Sequence, residues 1–275
     1  MKNRIIKYPN CKINLGLNVT GRRDDGFHDI ETVFYPLGLK DVLEISRSND
    51  GDFRLTLSGL SVPGSTESNL CTRAYQLLKD SYSLPAVHIH LEKNIPVGSG
   101  LGGGSSDAAF TLMALNEIFT LGLSSEEMGS FAMRLGSDCT FFLRNIPCFA
   151  SGRGEILEPV YIDIRGLFFA VVIPPLHIST AEAYSLVRPA RPLKSLKEFM
   201  KLPADKWEGQ LINDFEEATI MRFPVIGYIK QTLYGKGAVY SSMSGSGSAV
   251  YGLFSEIPEL AGLFPGCFVW VSPRL

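Results

Sequence analysis

Apolar and polar residues alternate through the first third of the chain. Residues 12–20 place Ile13, Leu15, Leu17 and Val19 on one face and Lys12, Asn14 and Asn18 on the other, the two-residue period of a half-buried strand, so Lys12 and Asn14 project to the same side. Residues 5–8, a run from Phe27-His28 through Glu31, Val33 and Tyr35, and residues 42–46 and 53–57 read as further strands. The last two are joined by the hairpin-like Asn49-Asp50-Gly51-Asp52. The period then lengthens. Ser68-Asn69 caps a helix predicted over residues 70–82, with Ala74, Leu77 and Leu78 on its apolar side. Residues 87–91 return to a strand, and residues 108–119 form a strongly apolar helix opened by Ser105, Ser106 and Asp107. A helix over 125–135 starts at a capping box, Ser124-Ser125 followed by Glu126-Glu127, and stops at Gly136.

Residues 152–165 are a charged, glycine-bearing connection, which divides the chain into a domain of residues 1–160 and another of 161–275. The second begins with a continuous apolar strand, 167–173, stopped by Pro174-Pro175. Ser179-Thr180 caps a helix through Tyr184, a polar helical stretch covers 195–217, and another helix covers 224–234. Strands at 239–243 and 249–254 flank Ser244-Gly245-Ser246-Gly247-Ser248, before a short helix near Glu259 and a last strand at 267–271. That order approximates β-α-β-β-α-β, a ferredoxin-like sandwich with an insertion, and the whole is an α+β protein.

Composition narrows the partners. With 275 residues, 45% hydrophobic content and a net charge of −2, the chain has material for two domains but no basic stripe for nucleic acid. No stretch is apolar enough for a signal peptide or a membrane span, so a cytoplasmic protein with no membrane partner is expected. Cys11, Cys71, Cys139, Cys148 and Cys267 lack Cys-x-x-Cys spacing and read as reduced thiols. His88 and His90 share a strand face, a spacing that favours a solvated face over a metal site because no third ligand is evident.

The chemistry concentrates in residues 95–107. Five glycines lie between Gly98 and Gly104, so the backbone can turn through positive φ and bring bare N–H groups to a polyanion, which is then delivered to a helix N-terminus. Gly98-Ser99-Gly100-Leu101-Gly102-Gly103 fits the dinucleotide fingerprint in letters but lacks an acidic residue at the end of a following strand. A Walker A loop fails because Gly103-Gly104-Ser105 has no lysine, and a flexible linker does not fit between a strand and an apolar helix. Asp138 follows the helix-ending Gly136 beside the apolar 141–143; it is either a structural cap or a reactive carboxylate. Residues 244–248 are either a plain hairpin or a second anion loop, and two such loops with a lysine and an aspartate suit phosphoryl transfer.

Three stretches together resemble the GHMP family of small-molecule kinases: Pro9-Asn10-Cys11-Lys12-Ile13-Asn14-Leu15, residues 96–107, and residues 243–249. Gly21-Arg22-Arg23-Asp24-Asp25-Gly26-Phe27-His28 and Gly136-Ser137-Asp138 are most similar to the branch whose acceptor is a cytidine-diphosphate-linked polyol of the non-mevalonate isoprenoid route. The resemblance implies a two-domain GHMP kinase fold, with an N-terminal domain like ribosomal protein S5 domain 2 and a C-terminal ferredoxin-like sandwich. It implies ATP and Mg2+ as cofactors, small-molecule substrates, and a monomer or homodimer. Lys12 and Asp138 would be catalytic, with Asp138 taking the hydroxyl proton and Lys12 holding it ionised. Pro96, Val97, Gly98, Ser99, Gly100, Leu101, Gly102, Gly103, Gly104, Ser105 and Ser106 would bind ATP, Asn69 and Lys93 would lie near its base, and Ser105 and Ser106 would also reach the metal. Asn14, Phe27, His28, Thr180 and Tyr184 would bind the acceptor, Phe27 and Tyr184 sandwiching its pyrimidine; Phe27 stands where the family often has Tyr. Another GHMP kinase, for mevalonate, homoserine or a sugar, and a non-catalytic sensor on the same fold are the rival readings.

Overall fold

The computed structural model describes residues 2–273. In chain order the elements are β1 (Arg4–Lys7), β2 (Asn10–Arg22), β3 (His28–Lys40), β4 (Val42–Arg47), β5 (Arg54–Gly59), α1 (Leu70–Tyr82), β6 (Val87–Lys93), α2 (Gly103–Phe119), α3 (Ser125–Leu135), α4 (Ser137–Arg144), β7 (Cys148–Ser151), β8 (Ile156–Pro159), β9 (Phe168–Ile173), α5 (Thr180–Leu186), α6 (Leu196–Phe199), α7 (Glu216–Arg222), α8 (Pro224–Gly235), β10 (Tyr240–Met243), β11 (Val250–Phe254) and β12 (Phe268–Val271). They gather into two compact units. One holds the chain through Cys11, Gly38–Val97 and Gly102–Ile146; the other holds Lys12–Leu37, Gly98–Leu101 and the chain from Pro147 onward. The units interleave along the chain, whereas the division expected near residue 160 is drawn along the sequence. The interleaving arises because β3 pairs antiparallel with β7, and β7 with β8, which ties residues 28–37 to the later half of the chain.

In the first unit the sheet order is β1-β4-β6-β5. β5 runs parallel to β6, with Leu55 opposite Ile89, so β6 separates β4 from β5 and the hairpin expected at residues 49–52 does not form. A parallel pair needs a crossover, and α1 supplies it in a β5-α1-β6 unit. Side chains of β6 alternate: Val87, Ile89, Leu91 and Lys93 are buried, whereas His88, His90 and Glu92 are not. The two histidines bond to Asp50 and to Thr56 and Ser58 on the outer face, which accounts for them without a metal. α2 packs on α1, α3 and α4 and on β1 and β4, burying Ala108, Ala109, Leu112, Leu115 and Ile118. Each large apolar side chain removed from water contributes about 1.5–3 kcal/mol, which fixes this helix firmly.

In the second unit the sheet order is β10-β11-β9-β12, antiparallel throughout, with Val250 opposite Val172 and Trp270 opposite Val171. The strand order is ferredoxin-like, but the second crossover carries no helix: residues around Glu259 form turns. α8 packs on β10 and β11, and Ile226, Ile229 and Leu233 join Val172, Met243 and Val250 in its core. The helix expected over 195–217 is broken into α6, a 3-10 turn at Ala204–Lys206 and α7, because Pro203 and Gly209, at φ +70°, interrupt it. Trp207 is buried between the fragments, its indole N–H donating to the carbonyls of Phe199 and Leu202. No helix among the described residues is long and apolar enough to cross a membrane.

Candidate functional site

In the first unit the glycine loop ends on α2, which begins earlier than expected, at Gly103. Gly102, at φ +69°, is its N-cap and makes no side-chain cap, whereas Asn69 caps α1 and Ser124 closes a full capping box on α3. The N–H groups of Gly103, Gly104 and Ser105 therefore have no carbonyl of their own helix to bond; the intrahelical ladder starts with Ser106 N–H donating to Gly102 at 2.9 Å. Such an end stabilises an anion. Space matters too: a Cβ on Gly103 would stand 2.9 Å from Ile95 Cγ2. Ser105 and Ser106 fall in the first turn but differ, because successive helical side chains point about 100° apart. Ser105 is partly exposed; Ser106 is fully buried and its Oγ has no partner among the described residues.

Asp138 lies in the first turn of α4, a short helix that follows α3 with Gly136 as the sole junction residue. A carboxylate there is favoured by the helix dipole. Next to it, burial pushes the Cys139 thiol up to about 12, against a hydrogen bond from Ser105, with the Asp138 charge adding to the rise and Arg73 opposing it. Cys139 is therefore an inert neighbour, and Ser105, Arg73 and Asp138 all lie within electrostatic reach of it.

Lys93 does not present its charge to solvent. It occupies the core face of β6, 1% exposed, and its ammonium donates to Asp107 Oδ2 at 2.6 Å and to Asp41. Burial works against that charge, yet the two carboxylates outweigh it and raise the Lys93 pKa. Burial pushes Asp107 up to about 7; Lys93 pulls it back and Asp41 pushes it further. The Lys93 side chain is thus committed to a buried ionic cluster. Asn69 uses its side-chain oxygen to accept from Cys71 N–H at 2.9 Å, so only its amide NH2 is left for a ligand.

In the second unit, Lys12 and Asn14 project from one face of β2 as their spacing requires, and Lys12 Nζ donates to Asn14 Oδ1 at 2.8 Å above the Phe34 ring. Asn14 is held from both sides: its Nδ2 donates to Thr32 Oγ1 at 2.9 Å, and its N–H donates to Ser244 Oγ at 3.2 Å. Ser244 in turn donates to the carbonyl of Gly100 at 3.0 Å, Ala249 N–H donates to Ser99, and Lys12 N–H donates to Leu101. The turn at 244–248 is therefore no plain hairpin; it is knitted to loop residues 99–101 and to β2. Gly100, at φ +81°, is obligatory here, since a Cβ would stand 2.1 Å from the Ser244 carbonyl oxygen. Asn213 anchors the turn by donating to the carbonyls of Met243 and Gly245 at 2.9 and 2.8 Å. Nothing in the local pattern around Asn213 marks it, and Thr32 is equally silent.

The aromatic residues have partners within the protein. His28, not Phe27, stacks on Tyr184, with centroids 4.6 Å apart and planes 15° apart. Phe27 is 55% exposed and one face of its ring is covered by the Arg153 guanidinium at 4.4 Å. Thr180, at the start of α5, meets Ser246 of the 244–248 turn, Oγ to Oγ at 3.4 Å.

The sequence matches the family models described as GHMP kinases N terminal domain, over residues 69–149, and GHMP kinases C terminal, over residues 186–262. It is 49% identical to the 4-diphosphocytidyl-2-C-methyl-D-erythritol kinase of Bacteroides fragilis, over 91% of this chain and 92% of that one. With the enzyme of the same name from Azobacteroides pseudotrichonymphae it shares 50% over 94% and 97%. A crystal structure of 4-(cytidine 5'-diphospho)-2C-methyl-D-erythritol kinase matches with a TM-score of 0.83 at 32% identity, covering 98% of both chains. A mevalonate kinase, at 14% identity and a TM-score of 0.73, and the homoserine kinase of Cytophaga hutchinsonii, at 17% and 0.71, share the fold. With an uncapped helix at the end of its glycine loop and both family models matched in order, the chain belongs to the GHMP kinase family.

Proposed function

We propose that the protein transfers the γ-phosphoryl group of ATP to a hydroxyl of 4-diphosphocytidyl-2-C-methyl-D-erythritol, a step of the non-mevalonate route to isoprenoid precursors. The observation that carries this reading is the identity of about half the sequence with kinases of that name across more than nine-tenths of both chains. The residues have the chemistry it needs. The N–H groups of Gly103, Gly104 and Ser105 would take phosphate oxygens, and the unpartnered Ser106 hydroxyl would gain an acceptor. Magnesium, when bound, neutralises charge on the phosphates. Phosphate oxygens and the hydroxyls of Ser105 and Ser106 would hold it.

Asp138 would accept the proton of the attacking hydroxyl, and the Lys12 ammonium would offset charge on the transferring group. Asn14, held on two sides, offers a fixed amide to the acceptor, with His28 and Thr180 as further polar contacts. Phe27 and Tyr184 would stack on the pyrimidine; since Tyr184 is stacked on His28, the base would enter by displacing that ring or by lying on the open face of Phe27. An ADP-release assay across this acceptor, mevalonate, homoserine and galactose tests the reading. Turnover with the cytidine-linked acceptor alone is expected; turnover with another, or binding without ADP release, would replace it.

A further inference from the structure

Asp41, Lys93 and Asp107 form a buried cluster that the phosphoryl-transfer chemistry does not use, and their positions along the chain give it a purpose. Asp41 Oδ1 accepts from the N–H groups of Asn94 and Ile95 at 2.6 and 2.9 Å, where the chain leaves β6 and enters the glycine loop. Its other oxygen takes the Lys93 ammonium, which also holds Asp107 Oδ2 at 2.6 Å, one turn into α2 beyond the end of the loop. All three side chains are nearly inaccessible, at 0%, 1% and 3% exposure. Among the described residues Asp107 Oδ1 has no hydrogen-bond partner, and Lys93 and Asp41 are the charged side chains that act on this carboxyl.

A lysine on the apolar face of a strand is costly to bury. Its desolvation is offset only because two carboxylates meet it, and a pair broken from one side typically costs about 3–5 kcal/mol. Well-packed hydrophobic residues in place of a buried ion pair such as Lys93 and Asp107 are often neutral or stabilising. What they could not do is tie two specific backbone points: the amides of Asn94 and Ile95 on one side and the start of α2 on the other. The cluster lies at the base of the loop.

We propose that Asp41, Lys93 and Asp107 are positioning residues that staple the entry of the glycine loop to its exit, setting the span across which the loop presents its N–H groups to the phosphates of ATP. This rests on the reading of the loop as the ATP site. The staple acts through backbone placement, so its loss is expected to weaken ATP and leave the acceptor alone.

The test has a structural and a kinetic arm. In the unaltered protein without nucleotide, hydrogen exchange at Asn94 and Ile95 and at Ser106 and Asp107 of α2 should rise together with temperature, as one opening unit; independent exchange would overturn the staple whatever the variants do. Asp107→Asn, which keeps the shape and removes the charge, should then speed exchange at both loop ends and raise KM for ATP roughly tenfold or more, with KM for the cytidine-linked acceptor within about twofold. A folded Asp107→Asn with both KM values unchanged, or both raised alike, would reduce the cluster to ordinary stabilisation. If that variant does not fold, Lys93→Met, which keeps the length of the side chain and removes the charge that joins the two carboxylates, provides the same comparison: a raised ATP KM alone supports the staple, and equal or absent effects on both substrates contradict it. Titration of the unaltered protein with ATP separates the two ideas, because failure to bind ATP would sink the loop reading while the exchange data still stand or fall alone.

Discussion

The two units hold their shares of the glycine loop by opposite means. In the first, residues 94, 95 and 107 are tied through a lysine and two carboxylates in a dry interior. In the second, residues 99–101 are tied by neutral groups: the Ser244 hydroxyl, and backbone bonds from Ala249 and Lys12. The difference teaches what each end tolerates. A neutral hydrogen bond contributes about 1 kcal/mol and is insensitive to pH, so the second arrangement depends on fit. Breaking a buried ion pair costs several times more and depends on protonation, so the first depends on charge.

The largest effect should come from removing the charge that does chemistry. Asp138→Asn is expected to fold, since an amide serves as well in the first turn of α4, and to lose at least ~10²-fold in kcat. Steady-state kinetics with a melting curve checks this; near-normal turnover would make Asp138 a structural cap. Next comes fit. Gly100→Ala drives a Cβ to 2.1 Å from the Ser244 carbonyl at φ +81°, a strain beyond the ~1–3 kcal/mol of an unfavourable backbone alone, so ATP affinity should fall roughly ten- to hundredfold. Calorimetry should find that loss equal at pH 6 and pH 8; a strong pH dependence would blur the contrast between the units.

Phe27→Ala should raise KM for the acceptor by roughly ten- to hundredfold, following the ~1–3 kcal/mol that an aromatic ring contributes to stacking a base. Because Phe27 is half-exposed, the melting temperature should hardly move. An unchanged acceptor KM would remove Phe27 from the site. The smallest effect is a pH dependence. The Asp107 pKa rises from its ordinary 3.8 to about 7, so the folded state binds the extra proton and stability falls as pH climbs through that window, by on the order of 1 kcal/mol per pH unit. Asp41, Lys93 and Cys71 are the ionisable groups around it. Asp107→Asn should therefore lose less melting temperature than the unaltered protein between pH 5 and pH 7; parallel slopes would deny Asp107 the raised value.

These contrasts show where the sequence was informative. α1 and α3 run over the residues their caps and apolar spacing predict, because those signals are local. The partner of β5 is not a local property: Asn49–Asp52 has turn chemistry, but the β5-α1-β6 crossover decides the pairing. α4 was hidden because Gly136 reads as an end, and only one residue separates it from the next helix. Lys12 and Asn14 come together as a two-residue period requires. The same period places Lys93 with Val87, Ile89 and Leu91 on the buried face, so its burial is legible in the spacing. Of the five loop glycines, Gly98, Gly100 and Gly102 carry the positive φ, whereas Gly103 is helical and gives space against Ile95.

The most direct test of the kinase reading is phosphorus NMR of the protein with ATP, magnesium and 4-diphosphocytidyl-2-C-methyl-D-erythritol. The expected result is one new phosphomonoester resonance growing in step with ADP, with the acceptor's diphosphate intact and no growth in Asp138→Asn. ADP formed without a new phosphomonoester, or equal growth in Asp138→Asn, would contradict transfer to the acceptor hydroxyl with Asp138 as the base.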